Sequence, residues 1–167
     1  MNWALAINSI AIMSLSHLMQ RVRDGLCDQK TQQPRHDQLR LATAAVLLDI
    51  AYADGEFTPA EDGDLVGFLK RAFSLDETEA RDLLATANEI RTQAIDHFAL
   101  TSFIRRNAPL HERIEIVRTM WRMVYSDGRL TDYENYLVRK LADLLGIEHH
   151  VMIEAKVSVL QELGLAT

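Results

Sequence analysis

Asp54-Gly55-Glu56-Phe57-Thr58-Pro59-Ala60-Glu61 returns later in the chain as Asp127-Gly128-Arg129-Leu130-Thr131-Asp132-Tyr133-Glu134. Each copy follows an apolar helical stretch that ends in a tyrosine, Tyr52 or Tyr125. In both, an aromatic or aliphatic residue stands two places after the glycine, then a threonine, and a glutamate three places further on. A repeated bend of this kind carries architecture as well as chemistry. It predicts two helix-turn-helix units in one domain, with carboxylates gathered at each bend.

Working outward from the bends, the apolar spacing is helical. Ala44, Leu47, Leu48 and Ala51 share one helix face before the first bend, and Val117, Met120, Trp121 and Val124 match them before the second. After the bends come Leu65, Val66, Leu69 and Phe73, and then Leu137, Val138, Leu141 and Leu145. A further helix follows each unit. Asp76-Glu77-Thr78-Glu79 reads as a capping box opening the first, with Leu83, Leu84 and Ala87 inside; Ile147 to Leu163 is the second. A shorter helix around Phe98 to Arg106 joins the halves, and Pro109 opens the segment after it. No alternating β-branched run or Asn-Gly hairpin turn competes. The fold class is all-α: a compact bundle of about seven antiparallel helices built from two pseudo-repeated helix-turn-helix units.

The chain has 167 residues, 48% of them hydrophobic, which suits one globular domain large enough to need no staples. Residues 1–23 read as an N-terminal apolar or amphipathic helix, 24–35 as a polar linker, and 36–167 as the helical domain. Trp3 to Leu18 carries no charged side chain but is broken by Asn8, Ser9, Ser14, Ser16 and His17, so it falls short of a spanning helix. It would dock on the domain, on a second copy as a homodimer, or peripherally on a membrane surface. A single cysteine, Cys27, excludes an internal disulfide and suits a reducing, cytoplasmic setting, at the inner membrane surface if the helix attaches there. A net charge of -6 disfavours general nucleic-acid binding.

The bends have a purely structural reading. Thr58 and Glu61, like Thr131 and Glu134, fit capping boxes; Gly55 and Gly128 suit the left-handed backbone of a helix end; Phe57 and Leu130 would staple each bend to the core. They also have a chemical one. Hard divalent cations take carboxylate and carbonyl oxygens. The glycine-to-glutamate spacing is that of an EF-hand's second half, but Ile50 or Met123 and Tyr52 or Tyr125 stand where the first ligands belong. A composite site would instead pool Asp54, Glu56, Glu61, Asp127 and Glu134 from both bends, with Asp49 joining, around calcium, magnesium or manganese. Arg129, in place of Glu56, makes the copies unequal and could occupy such a site from within. His149-His150 beside Glu148 reads as a solvated helix start, and no phosphate cradle or nucleophile elbow is present.

The paired Tyr-x-Asp-Gly-x-[Phe/Leu]-Thr-x-x-Glu bends, from roughly His36 to Val157, resemble those of the TerB-like family, named for bacterial tellurite resistance. The resemblance implies a helical bundle, a bacterial source and an acidic site for divalent metal at Asp54, Glu61, Asp127 and Glu134. The expected role is a non-enzymatic stress-response domain that acts through protein contacts. Two alternatives stand beside it: a metal-dependent hydrolase of a phosphate-containing or stress metabolite, and a pure scaffold whose N-terminal helix is the interaction element.

Overall fold

Apolar residues three and four places apart become helix faces, and among the residues it describes the computed structural model places seven helices on them. It describes residues 32–53, 55, 57–92, 96–126 and 130–165. The helices are α1 (Gln32–Ala51), α2 (Pro59–Phe73), α3 (Glu77–Thr92), α4 (His97–Asn107), α5 (Leu110–Val124), α6 (Asp132–Leu144) and α7 (His149–Glu162). Among the described residues there is no strand. The N-terminal helix expected over residues 1–23 lies outside the described residues, as do Asp54, Glu56, Asp127, Gly128 and Arg129.

α1 is buried on every side in its second half. Ala42 to Leu48 are all buried without a break, and Ile50 and Ala51 follow. A helix that is apolar all round belongs inside a bundle. α5 supplies the other inner helix, with Val117, Met120 and Trp121 fully buried and Val124 nearly so. It packs on α2, α6 and α7, so it touches helices of both halves. α2 also packs on α3, α4 on α6, and α6 on α7. The helix faces read after the two bends enter the core: Leu65, Leu69, Val138, Leu141 and Leu145 are shut off from solvent. Leu83 is only half-buried, and α3 uses Leu84, Ala87 and Ile90 instead.

Helix ends follow local chemistry. The Asp76 side chain accepts the Glu79 N–H at 2.8 Å while Glu79 accepts the Asp76 N–H at 2.9 Å, completing the expected box before α3. α2 ends at Ser74, a residue with φ 54° in the left-handed region, where its N–H and that of Leu75 reach the Lys70 carbonyl. Pro109 sits one residue before α5, at the cap, with φ -65° and ψ 163°. Among the described residues Thr101 and Thr119 are buried, and their hydroxyls donate to carbonyls of their own helices, at His97 and Glu115.

Candidate functional site at the repeated bends

The two bends are built alike. After α1, Tyr52 N–H donates to the Leu48 carbonyl and Gly55 N–H to the Tyr52 carbonyl; Gly55 takes φ 89°, which favours glycine. The chain then extends through Thr58 into α2, with Pro59 at its first position. Thr58 N–H and Oγ1–H both donate to Glu61 Oε2, at 2.8 and 2.7 Å, and Glu61 N–H donates back to Thr58 Oγ1 at 3.3 Å. At the second bend, Thr131 N–H and Oγ1–H donate to Glu134 Oε2 at 2.7 Å each, and Glu134 N–H returns to Thr131 Oγ1 at 3.1 Å. The cap threonines share one backbone conformation, near φ -86° and ψ 155° in one copy and φ -82° and ψ 158° in the other. Glu61 and Glu134 are 5% and 6% exposed, so each carboxylate is held in place by its cap, away from water.

Of the five residues expected to pool around a cation, the described ones are therefore Glu61 and Glu134, both inside capping boxes. Asp54, Glu56 and Asp127 fall outside the described residues. Among the described residues no group of three or more His, Cys, Asp or Glu side chains is placed to hold a metal ion. Ile50 and Met123, at the places an EF-hand would use for its first ligands, are core residues with 1% exposure.

The surroundings of the bends differ in charge. Asp49, one turn before the first bend, receives His97 Nε2 from the start of α4 at 2.8 Å. Burial pushes the Asp49 carboxyl above the usual carboxylate value, against the opposing pull of His97 and Arg91. Arg91 lies 4.1 Å over the Tyr52 ring, and Tyr52 packs on Phe57 with ring centres 5.2 Å apart. A cleft of about 160 Å³ opens beside them, between Tyr52, Phe57, Asp62, Arg81 and Asn88. At the second bend, Arg122 stands where the first copy has Asp49 and bonds Glu162 Oε2 at 2.8 Å. Glu162, which also bonds Arg118, is held below the usual carboxylate value chiefly by its hydrogen bond to Arg122. Lys156 lies 4.8 Å over Trp121, which stacks on Tyr125. So a cation covers the aromatic cluster at both bends, delivered by α3 in one half and α7 in the other.

The sequence reading placed Asp49 near the bend but did not find His97 or Arg91. One signal pointed to a partner: Asp49 is the lone charge between Leu41 and Ala53, and a buried carboxylate needs a counter-charge. Nothing in the sequence says which histidine supplies it.

A family model described as tellurite resistance protein TerB matches residues 40–157, taking in both bends and reaching from α1 into α7. The chain belongs to the TerB family. Within this TerB-family domain the matched region holds both capping boxes and the Asp49–His97 pair. No curated protein and no solved structure gave a significant match. No described helix of the TerB-family chain is long and apolar enough to cross a membrane.

Proposed function

We propose that this TerB-family protein is a non-enzymatic domain of a bacterial stress response, of the tellurite-resistance type, working through protein contacts in the cytoplasm. In this reading a divalent cation binds at the Asp-Gly bends, with Asp54, Glu56, Glu61, Asp127 and Glu134 as its ligands. The observation that supports it is the matched pair of buried, immobilised carboxylates, Glu61 and Glu134, one at each acidic bend. Hard cations favour pre-positioned carboxylates, because less ordering is then required on binding. A cation bound only by the folded state would raise the melting temperature, by about 2.7 kcal/mol of stability at a hundredfold excess over its dissociation constant.

The test is a thermal melt of metal-stripped protein with calcium, magnesium, manganese or zinc, beside Asp54→Ala/Asp127→Ala. A metal-specific rise that the double variant loses supports the site. The completeness of the two capping boxes supports a second reading, in which the bends are structural and the interaction surface lies elsewhere. Equal melting temperatures with and without every metal would select it.

A further inference from the structure

α4 and α6 pack together and leave a groove of about 540 Å³ between them, lined by Phe98, Ser102, Arg105 and Arg106 of α4 and by Asp143 and Leu144 of α6. On α4, Phe98, Ser102 and Arg105 recur at four and three residues and so form one stripe. Tyr133, Tyr136 and Lys140 continue the α6 side at helical spacing toward Asp143 and Leu144. The large apolar surface here is open to solvent: Phe98 is 61% exposed, Tyr133 56% and Tyr136 57%. Exposed aromatics gathered beside a concavity mark a contact site more often than scattered ones do.

The charges on this face are uncommitted. Several of the described cations elsewhere are engaged within the molecule, although Arg71 on α2 and Arg139 on α6 are exposed in the same way. Lys70 and Arg81 pair with Glu77, Arg118 and Arg122 with Glu162, and Arg91 and Lys156 cover aromatic rings. Arg113 donates to the Leu145 and Gly146 carbonyls. Arg105, Arg106 and Lys140 are exposed and make no ion pair. Arg105 is also seated: its guanidinium lies against Gly146, where an added Cβ would come 2.6 Å from Nε. A chain of net charge -6 thus presents unpaired Arg105 and Arg106 in the lining of this groove and Lys140 one turn before it on α6, against the single lining carboxylate of Asp143.

We infer that the α4–α6 groove docks an acidic segment of a partner protein that carries an aromatic or long aliphatic anchor. Its carboxylates meet Arg105, Arg106 and Lys140, and its anchor enters beside Phe98 and Leu144. The arginine forks suit carboxylates, which they can bind in a bidentate fashion. A nucleic acid would need a longer basic track and would be repelled by the rest of the chain. A lipid surface would meet a concave groove holding an aspartate. The inference rests on the reading of the protein as an interaction domain, and it is independent of the cation.

The test pans the full-length protein against a randomised dodecapeptide display library. Selected peptides are then titrated by fluorescence anisotropy, beside a poly-dT oligonucleotide and phosphatidylglycerol vesicles. The expected consensus is acidic with one aromatic or long aliphatic residue. Arg105→Glu/Lys140→Glu, shown to be folded by its circular dichroism melt, weakens the selected peptide about tenfold or more, from two reversed charges. Phe98→Ala weakens it through the anchor, and Lys70→Glu, on α2, leaves it unchanged. A neutral or basic consensus, no enrichment, unchanged affinity in Arg105→Glu/Lys140→Glu, or tighter binding to the oligonucleotide or the vesicles overturns the inference. Loss of the metal response with peptide binding intact removes the cation site alone. Loss of peptide binding with the metal response intact removes the docking groove alone.

Discussion

Glu61 and Glu134 each accept two hydrogen bonds from their own cap threonine, and this fixes what a substitution at either would do. Thr58→Ala or Thr131→Ala removes the side-chain half of a cap and should lower stability by about 0.5–2 kcal/mol each, read from urea denaturation. Glu134→Ala should cost more than Glu134→Gln, since alanine removes the acceptor of both Thr131 hydrogen bonds, each contributing about 0.5–1.5 kcal/mol. Equal losses for the two would mean that the cap is not what holds the bend. Asp49 sets a pH dependence. A carboxyl whose folded pKa lies above its unfolded value binds its proton more tightly when folded. It adds stability at low pH and loses it as pH rises through the interval between the two values. Asp64, also raised by burial, acts in the same direction. In Asp49→Asn the group cannot ionise. As pH rises through that acidic interval, the variant's stability should therefore improve relative to the wild type. Urea melts at successive pH values check the sign, and a gap moving the other way contradicts the role given to burial.

At the scale of elements, much of the architecture was legible because helix faces and caps are local. The spacing of Ala44, Leu47, Leu48 and Ala51, and its repeat at Val117 to Val124, located both inner helices, and all eight residues are buried. The Thr-x-x-Glu and Asp-x-x-Glu patterns located three helix starts, since a cap needs only neighbours in sequence. What sequence could not supply was pairing across helices. His97 reaches Asp49, and Lys156 reaches Trp121, through contacts that no short-range rule encodes. The bends themselves were found, and two of the five residues assigned to a cation there, Glu61 and Glu134, are seen as caps. Leu47→Ala, in the fully enclosed part of α1, should cost about 2–5 kcal/mol and lower the urea midpoint without changing the slope. Gly146→Ala, in the turn between α6 and α7 with φ 71°, should cost about 1–2 kcal/mol from backbone conformation and displace Arg105. A selective shift of the Arg105 side-chain resonance would report the displacement.

Over the whole molecule, the repeat produces similar frames with unlike electrostatics. Asp49 and Arg122 occupy matching places before the two bends, one paired with a histidine and the other with Glu162. The two frames therefore respond to acid in opposite senses: protonation of the raised Asp49 carboxyl favours the folded first frame, while protonation of Glu162, held low by Arg122, loosens the second. α5 touches helices from both halves, so neither half has a separate core to fall back on, and unfolding should be a single cooperative step. Coincident urea transitions by circular dichroism and by tryptophan fluorescence, to which the buried Trp121 contributes beside Trp3, are the expected result. The unbroken burial of α1 from Ala42 to Leu48 has one more effect. Amide protons along that stretch have no solvent-facing side from which to exchange with deuterium. Their exchange must wait for the global opening of the bundle, which makes them an internal clock for total stability. Any ligand of the native state, wherever it binds, will slow that clock by the full measure of its binding free energy, while amides beside its own site can respond more or less than that.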